Sequence, residues 1–271
     1  MPGETLTGGF MKYAFIYRTD VGTTREVNQD SLVIRSLSFD DSDSLLLAVC
    51  DGLGGLAEGE KISREAAMMA SEWFDTEFAP LVREGADAAN VSLRLKTFLE
   101  NTNSSLFFAN QQRGICGGTT MSLLLLWDGY RFIAHVGDSR IYEIQEKGMN
   151  QLTPDHSWVA RQVELGKMTQ EEALHSGQKN IILQCLGTER QLANPYLHYE
   201  KAPEDRGYLL CTDGFWHQMD SARLLAHFIP SVFDRAGADQ ELGAEVEAIK
   251  DKGEQDNITA VVAVAQGHEY G

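Results

Sequence analysis

The chain has no run of about 18 apolar residues, so it offers no helix able to span a bilayer. Its apolar stretches, such as Leu45 to Cys50 and Leu123 to Trp127, are only strand-sized. Basic residues are scarce, 23 against 40 acidic, and a net charge of −17 repels phosphate backbones. That excludes a general nucleic-acid binder. The cysteines Cys50, Cys116, Cys185 and Cys211 are too far apart in sequence for a metal knuckle or a redox pair. Set among apolar or small residues, they read as buried, reduced thiols of a cytoplasmic protein. The N-terminal segment lacks a basic stretch leading into an apolar one, so no secretory signal is expected. Repeats, low-complexity tracts and Pro/Gly/Ser linkers are also missing, which points to one domain. Residues 1–11 are expected to be a frayed tail, and residues 12–267 the folded unit.

What is present is a core. Apolar content of 43% with 9% aromatics belongs to a globular chain. Strand patterns occupy three zones. In the first, Ser31 to Arg35 and Ser44 to Cys50 flank an acidic loop, Phe39 to Asp43, read as a solvated turn. The second holds a hairpin, Thr120 to Trp127 and Tyr130 to Val136 around Asp128-Gly129, continued as a meander by Ile141 to Ile144 and Met149 to Leu152. The third holds Gly207 to Cys211 and Asn257 to Ala265. Long helices are expected over 57–78 and 86–110. Shorter ones are expected over 157–165, 169–175, 220–227 and 239–250. Trp73, Phe74, Phe78, Phe98, Phe107 and Phe108 read as a core stripe. Strands do not alternate singly with helices, so antiparallel sheets covered by helix pairs fit better than a doubly wound sheet.

Four apolar strands meet an aspartate beside a small or polar residue: Asp51-Gly52, Asp138-Ser139, Asp213-Gly214 and Asp256-Asn257. Any one Asp-Gly is an ordinary turn. Four of them suggest a shared site, because strand ends hold side chains rigidly at a cleft and glycine exposes a carbonyl. Converging carboxylates repel one another, and a cation resolves the repulsion. The residues by themselves thus point to an all-oxygen site for Mg²⁺ or Mn²⁺.

At these positions the chain resembles the bacterial branch of the PP2C (PPM) family of metal-dependent Ser/Thr protein phosphatases. The resemblance runs from Thr19 to Val264. It is carried, in order, by Thr19 to Asp30 with Arg25, Asn28 and Gln29, by Val49-Cys50-Asp51-Gly52-Leu53-Gly54-Gly55, and by Gly117-Gly118-Thr119-Thr120. Val136-Gly137-Asp138-Ser139-Arg140-Ile141-Tyr142, Leu152-Thr153-Pro154-Asp155-His156-Ser157, Leu209 to Gly214 and Gln255 to Val262 complete it.

The resemblance implies a four-layer α-β-β-α sandwich, two central antiparallel sheets flanked by helix pairs. It also implies a protein-serine/threonine phosphatase, a phosphoric monoester hydrolase with two Mn²⁺ or Mg²⁺ ions and a third, weaker site. By position Asp51 bridges the two metals, the Gly52 carbonyl joins one of them, and Asp213 and Asp256 hold the other. Asp138, with Asp213, matches the third. Arg25 matches the phosphate-binding arginine, and Asp30 stands behind the ligands or reaches a metal through water. Gln29 replaces the commoner Glu and supplies no charge, which weakens the second metal. Leu53 stands where animal members carry His.

His156 is expected to order its loop and His135 to pack in the core. Residues 157–180 match a flap beside the metals, in which Lys167 or Lys179 could attract phosphate. Expected partners are Ser/Thr-phosphorylated proteins, including a cognate kinase or its substrates, with no nucleic acid, no membrane and a monomeric state. The competing reading is a catalytically weak, phosphatase-like binding or scaffold module.

Overall fold

The computed structural model describes residues 13–39, 42–53, 58–203 and 205–265. The expected tail 1–11, the acidic residues Asp40 and Asp41, the glycines Gly54 and Gly55, and residues 266–267 lie outside them.

Leu45 to Cys50 and Leu123 to Trp127 are continuous in apolar character because their strands are buried on both faces. Strand β3 (Ser42–Leu53) pairs with β2 (Asp30–Phe39) on one side and with β5 (Met121–Trp127) on the other. The sheet continues through β6 (Tyr130–Val136) to β9 (Tyr196–Lys201), and a short β4 (Gly118–Thr119) pairs with the end of β3. A second sheet runs β1-β11-β10-β7-β8, made of Tyr13–Asp20, Ile258–Ala265, Gly207–Cys211, Arg140–Gln145 and Gly148–Gln151. Every strand pairing in both sheets is antiparallel.

Alternation sorts side chains into three cores. Leu45, Leu47, Val49, Leu124 and Leu126 face Tyr208, Leu210, Val261 and Ala263 between the sheets. Leu46, Ala48, Leu123 and Leu125 face outward and are covered by α1 (Glu58–Trp73) and α3 (Ala88–Arg113) through Ile62, Ala66, Ala70, Leu95 and Leu99. The other sheet's outer face packs Leu209, Ala260 and Val262 against α7 (Ser221–Phe228) and α8 (Arg235–Asp251). Each fully buried Leu contributes about 1.5–3 kcal/mol, so the three cores dominate the stabilisation. The result is the four-layer α-β-β-α arrangement. Between α1 and α3 lie a π-helical turn (Phe74–Phe78) and α2 (Ala79–Arg83); α4 (Trp158–Glu164), α5 (Gln170–Leu174) and α6 (Asp213–Trp216) are short.

The structure corrects several sequence expectations. The meander breaks after β6, since β7 crosses to the other sheet and pairs with β10. Strands β1 and β9 were not anticipated. Phe107 is only half-buried and Phe108 is 49% exposed, so the aromatic stripe stops short of both. Cys116 is exposed, while Cys50, Cys185 and Cys211 are buried; all four are free thiols. No helix among the described residues is long and apolar enough to cross a membrane.

Candidate metal centre

Antiparallel pairing puts the aspartate-bearing strand ends at one end of the sandwich. Asp30 opens β2 and is the register partner of Asp51 near the end of β3. Cys211 faces Ala260 across β10 and β11, so Asp213, just past one strand, and Asp256, just before the other, come to the same edge. Asp138 sits between β6 and β7, where the chain crosses from one sheet to the other.

The supporting polar groups tie both sheets together at this edge. Thr212 Oγ1 donates to Asp30 Oδ2 at 2.8 Å. The Gln29 amide donates to Asn257 Oδ1 at 2.8 Å, and Asn257 Nδ2 donates to the carbonyls of Val21 and Val27. The Gln29 carbonyl accepts from the Gly52 amide at 3.1 Å and from Ser63 Oγ at 2.6 Å. The Asp51 amide donates to Thr120 Oγ1 at 2.9 Å, and the Asp51 carbonyl accepts from the Thr120 amide and from Thr119 Oγ1. Gly52 is held so closely that an added Cβ would lie 2.2 Å from the Gly59 carbonyl oxygen.

The carboxyls feel one another. Burial pushes Asp30 up to about 7; hydrogen bonds from Thr259 and Thr212 oppose the rise, and the charges of Asp213 and Asp256 add to it. Burial, then Asp30, Asp213, Asp138 and Asp256, raise Asp51 well above the usual carboxylate range. Asp138 is raised by burial and then by Asp213. Asp213 rises to about 6, through burial, Asp256 and Glu254. Asp138 is 3% exposed, and the Oδ1 atoms of Asp138 and Asp213 are shut from water without a hydrogen-bond partner.

Buried, partnerless anionic oxygens in mutual repulsion fit a hard divalent cation. Among the described residues, no three His, Cys, Asp or Glu side chains converge closely enough to hold an ion unaided. An ion here therefore needs main-chain carbonyl oxygens and water beside the carboxylates, as Mg²⁺-type sites commonly do.

Arg25 lies at the exposed rim, and its Nη2 is 2.8 Å from Asp256 Oδ2. His156 accepts the Gly137 amide at Nδ1 (3.0 Å), and its own amide donates to the Gly137 carbonyl (2.7 Å); it orders the loop, as expected. His135 is fully buried. The segment 157–180 carries α4 and α5, and Lys179 is near enough to His217 that its charge, after burial, helps depress that imidazole to about 4.

Sequence reasoning assigned no role to Thr120, Thr212, Asn257, Arg140, Trp216 or His217. Thr120, Arg140, Thr212 and Asn257 stood inside the quoted motifs, and a polar residue adjoining a strand-end aspartate was the signal available. Arg140 binds both oxygens of Asp155 at 2.9 and 2.6 Å and lies 3.3 Å over the Trp216 ring. His217 Nδ1 is 3.9 Å from Glu254 Oε2, and its ring meets Trp216 edge-on.

A family model described as protein phosphatase 2C matches residues 23–249. The serine/threonine phosphatase stp of Listeria innocua is 30% identical over 210 residues, 77% of this chain and 80% of that protein. The crystal structure of the serine/threonine phosphatase Stp1 from Staphylococcus aureus is similar with a TM-score of 0.81 at 26% identity, covering 98% of this chain and 100% of that one. The catalytic domain of the phosphatase PstP, solved in complex with two manganese ions, is similar with a TM-score of 0.74 at 25% identity, covering 94% of this chain and 99% of that one.

Proposed function

The chain belongs to the protein phosphatase 2C family, and on that premise we propose that it is a metal-dependent serine/threonine phosphoprotein phosphatase, a phosphoric monoester hydrolase. The observation that carries the reading is the set of mutually repelling carboxyls at one end of the sandwich, Asp30 and Asp138 buried, Asp51 and Asp213 half-buried, with partnerless oxygens on Asp138 and Asp213.

In this reading Asp51 and the Gly52 carbonyl serve two Mn²⁺ or Mg²⁺ ions, Asp213 and Asp256 hold one of them, and Asp138 with Asp213 offers a third, weaker position. When bound, such ions neutralise phosphoryl oxygens and lower the pKa of a water that attacks phosphorus in line. The protein's own groups do the rest. Thr120 and Thr119 hold the Asp51 main chain. Thr212 holds Asp30 behind it. Asn257 fixes the segment from Val21 to Gln29, on which Arg25 is carried. Arg25 offers a planar guanidinium to the phosphoryl group at the exposed rim.

Residues 12–267 act as one domain and as a monomer, with 157–180 as a flap at the cleft. The free thiols suit a cytoplasmic setting. Substrates are Ser/Thr-phosphorylated proteins, among them a cognate kinase or that kinase's substrates.

The test is hydrolysis of an aryl phosphate and a phosphothreonine peptide with and without Mn²⁺. Turnover that requires Mn²⁺ and is lost with EDTA and in Asp213→Asn supports the reading. Turnover of neither substrate at ample Mn²⁺ would sink it.

A further inference from the structure

We propose that Trp216 is a positioning residue, whose indole N–H sets the Asp138 carboxylate opposite Asp213 and thereby determines how tightly that pair takes a divalent cation. The inference rests on the phosphatase reading above and adds a residue to it.

Trp216 closes the four-residue helix α6 that Asp213 opens, so the two side chains belong to one rigid turn. Trp216 Nε1 donates to the main-chain carbonyl of Asp138 at 3.0 Å. Asp138 itself is 3% exposed with a partnerless Oδ1, as is Oδ1 of Asp213. The indole N–H thus links directly the two elements whose orphaned oxygens must meet one ion.

The indole cannot swing freely. The Arg140 guanidinium carbon lies 3.3 Å from its ring centroid, within the range of a strong cation–π contact. Arg140 is in turn held by both Asp155 oxygens, and its Nη1 donates to the Tyr142 hydroxyl at 2.9 Å. The Asp138 loop is fixed on its other side as well. Gly137 has φ +114°, a side chain there would meet Thr120 at 2.5 Å, and the Gly137 peptide is held at both its N–H and C=O by His156. The Trp216 hydrogen bond therefore joins two elements that are each already held, and it sets their relative position. Loss of a hydrogen bond behind a ligand typically weakens metal binding about 10–100-fold.

The experiment is calorimetric titration of Mn²⁺ into the metal-stripped full chain, for wild type, Trp216→Phe and Asp138→Asn. Trp216→Phe keeps a ring for Arg140 to cover and removes the donor together with part of the indole's bulk. The weakest of the wild-type sites should lose about tenfold in affinity in Trp216→Phe and vanish in Asp138→Asn. The tight sites should stay within about threefold, and the melting temperature in EDTA should stay within a few degrees. Raising Mn²⁺ should return Trp216→Phe to wild-type turnover.

The proposal is overturned if Trp216→Phe titrates like wild type, or if every site weakens together with a large drop in melting temperature. It is equally overturned if Asp138→Asn keeps the weak site. A wild-type protein that binds no Mn²⁺ at all would sink the phosphatase reading first, and that outcome is visible before any variant is compared.

Discussion

Thr212, just past the end of β10, donates its hydroxyl to Oδ2 of Asp30 in the opposite sheet at 2.8 Å, although the two residues are 182 positions apart. The same oxygen of Thr212 accepts the Thr259 amide at 3.1 Å. One buried hydroxyl thus satisfies a carboxyl of one sheet and an amide of the other. Thr212→Val keeps the shape, orphans the Thr259 amide and takes from Asp30 one of its two threonine hydrogen bonds, and a buried unsatisfied polar group costs about 1–3 kcal/mol. Urea unfolding should show a loss of that size for Thr212→Val and a much smaller one for Thr212→Ser. Equal stabilities would mean that the bond contributes nothing.

Gly52 is a second place where the site depends on close backbone approach. An added Cβ would lie 2.2 Å from the Gly59 carbonyl oxygen and 2.7 Å from that of Gln29. Both obstacles are backbone, so no rotamer change relieves them. Gly52→Ala should lower the thermal midpoint by an amount matching about 1–3 kcal/mol or more, and should abolish Mn²⁺-dependent turnover. Gly148→Ala, where nothing lies within 4 Å, is the control and should leave both unchanged.

Those two contacts also mark how far the sequence could be read. The β5–β6 hairpin was legible because Asp128-Gly129 takes positive φ at both positions, 50° and 72°, and so closes the two-residue turn that brings Trp127 opposite Tyr130. The strand-end aspartates were legible because apolar runs stop at them. Strand β9 was not, since an edge strand with most of its residues exposed carries little apolar signal. The crossing from β6 to β7 was also hidden. Both strands are buried and alike in pattern, and nothing in periodicity says that Gly137 to Ser139 changes sheets. Thr212 with Asp30, and Arg140 with Trp216, are pairings made by topology between distant segments, and local pattern does not encode them.

Arg25 allows a prediction in which stability and activity separate. Its pair with Asp256 is solvent-exposed, with side-chain exposures of 49% and 32%. Such pairs contribute about 0–1 kcal/mol, so Arg25→Ala should unfold nearly like wild type. As a phosphate ligand the guanidinium is worth more, because hydrogen bonds to a charged group are worth about 1.5–3 kcal/mol, or about 10–100-fold. Steady-state kinetics on a phosphothreonine peptide should show a fall of that size in kcat/KM, mostly through KM. Arg25→Lys should recover part of it, since ammonium keeps the charge and loses the planar fork. Unchanged KM in Arg25→Ala would remove Arg25 from phosphate binding.

His135 supplies a pH dependence whose sign follows from its partners. The ring is fully buried, with Nε2 at 2.8 Å from the Pro154 carbonyl oxygen and Nδ1 at 2.8 Å from Ser122 Oγ. A carbonyl can only accept, so Nε2 carries the proton, and the single Ser122 hydroxyl proton is shared between Nδ1 and the Ser139 carbonyl, which lies 2.9 Å from Ser122 Oγ. Burial, then the neighbouring His156, push the pKa down to about 3. The unfolded chain takes up a proton near pH 6.5 while the folded one does not. The stability due to neutral His135 is therefore full above pH 6.5 and falls as pH drops from there toward 3, by about 1.4 kcal/mol per unit. Asp30 and Asp213 act in the opposite sense. Raised to about 7 and about 6, they contribute stability at low pH that is lost as pH rises through those values. The wild-type curve mixes the two trends, and the comparison with His135→Gln separates them. In urea unfolding without Mn²⁺, the stability difference between wild type and variant should shrink by about 2 kcal/mol between pH 6.5 and 5.0. A difference that stays constant over that range would mean that His135 titrates alike in both states.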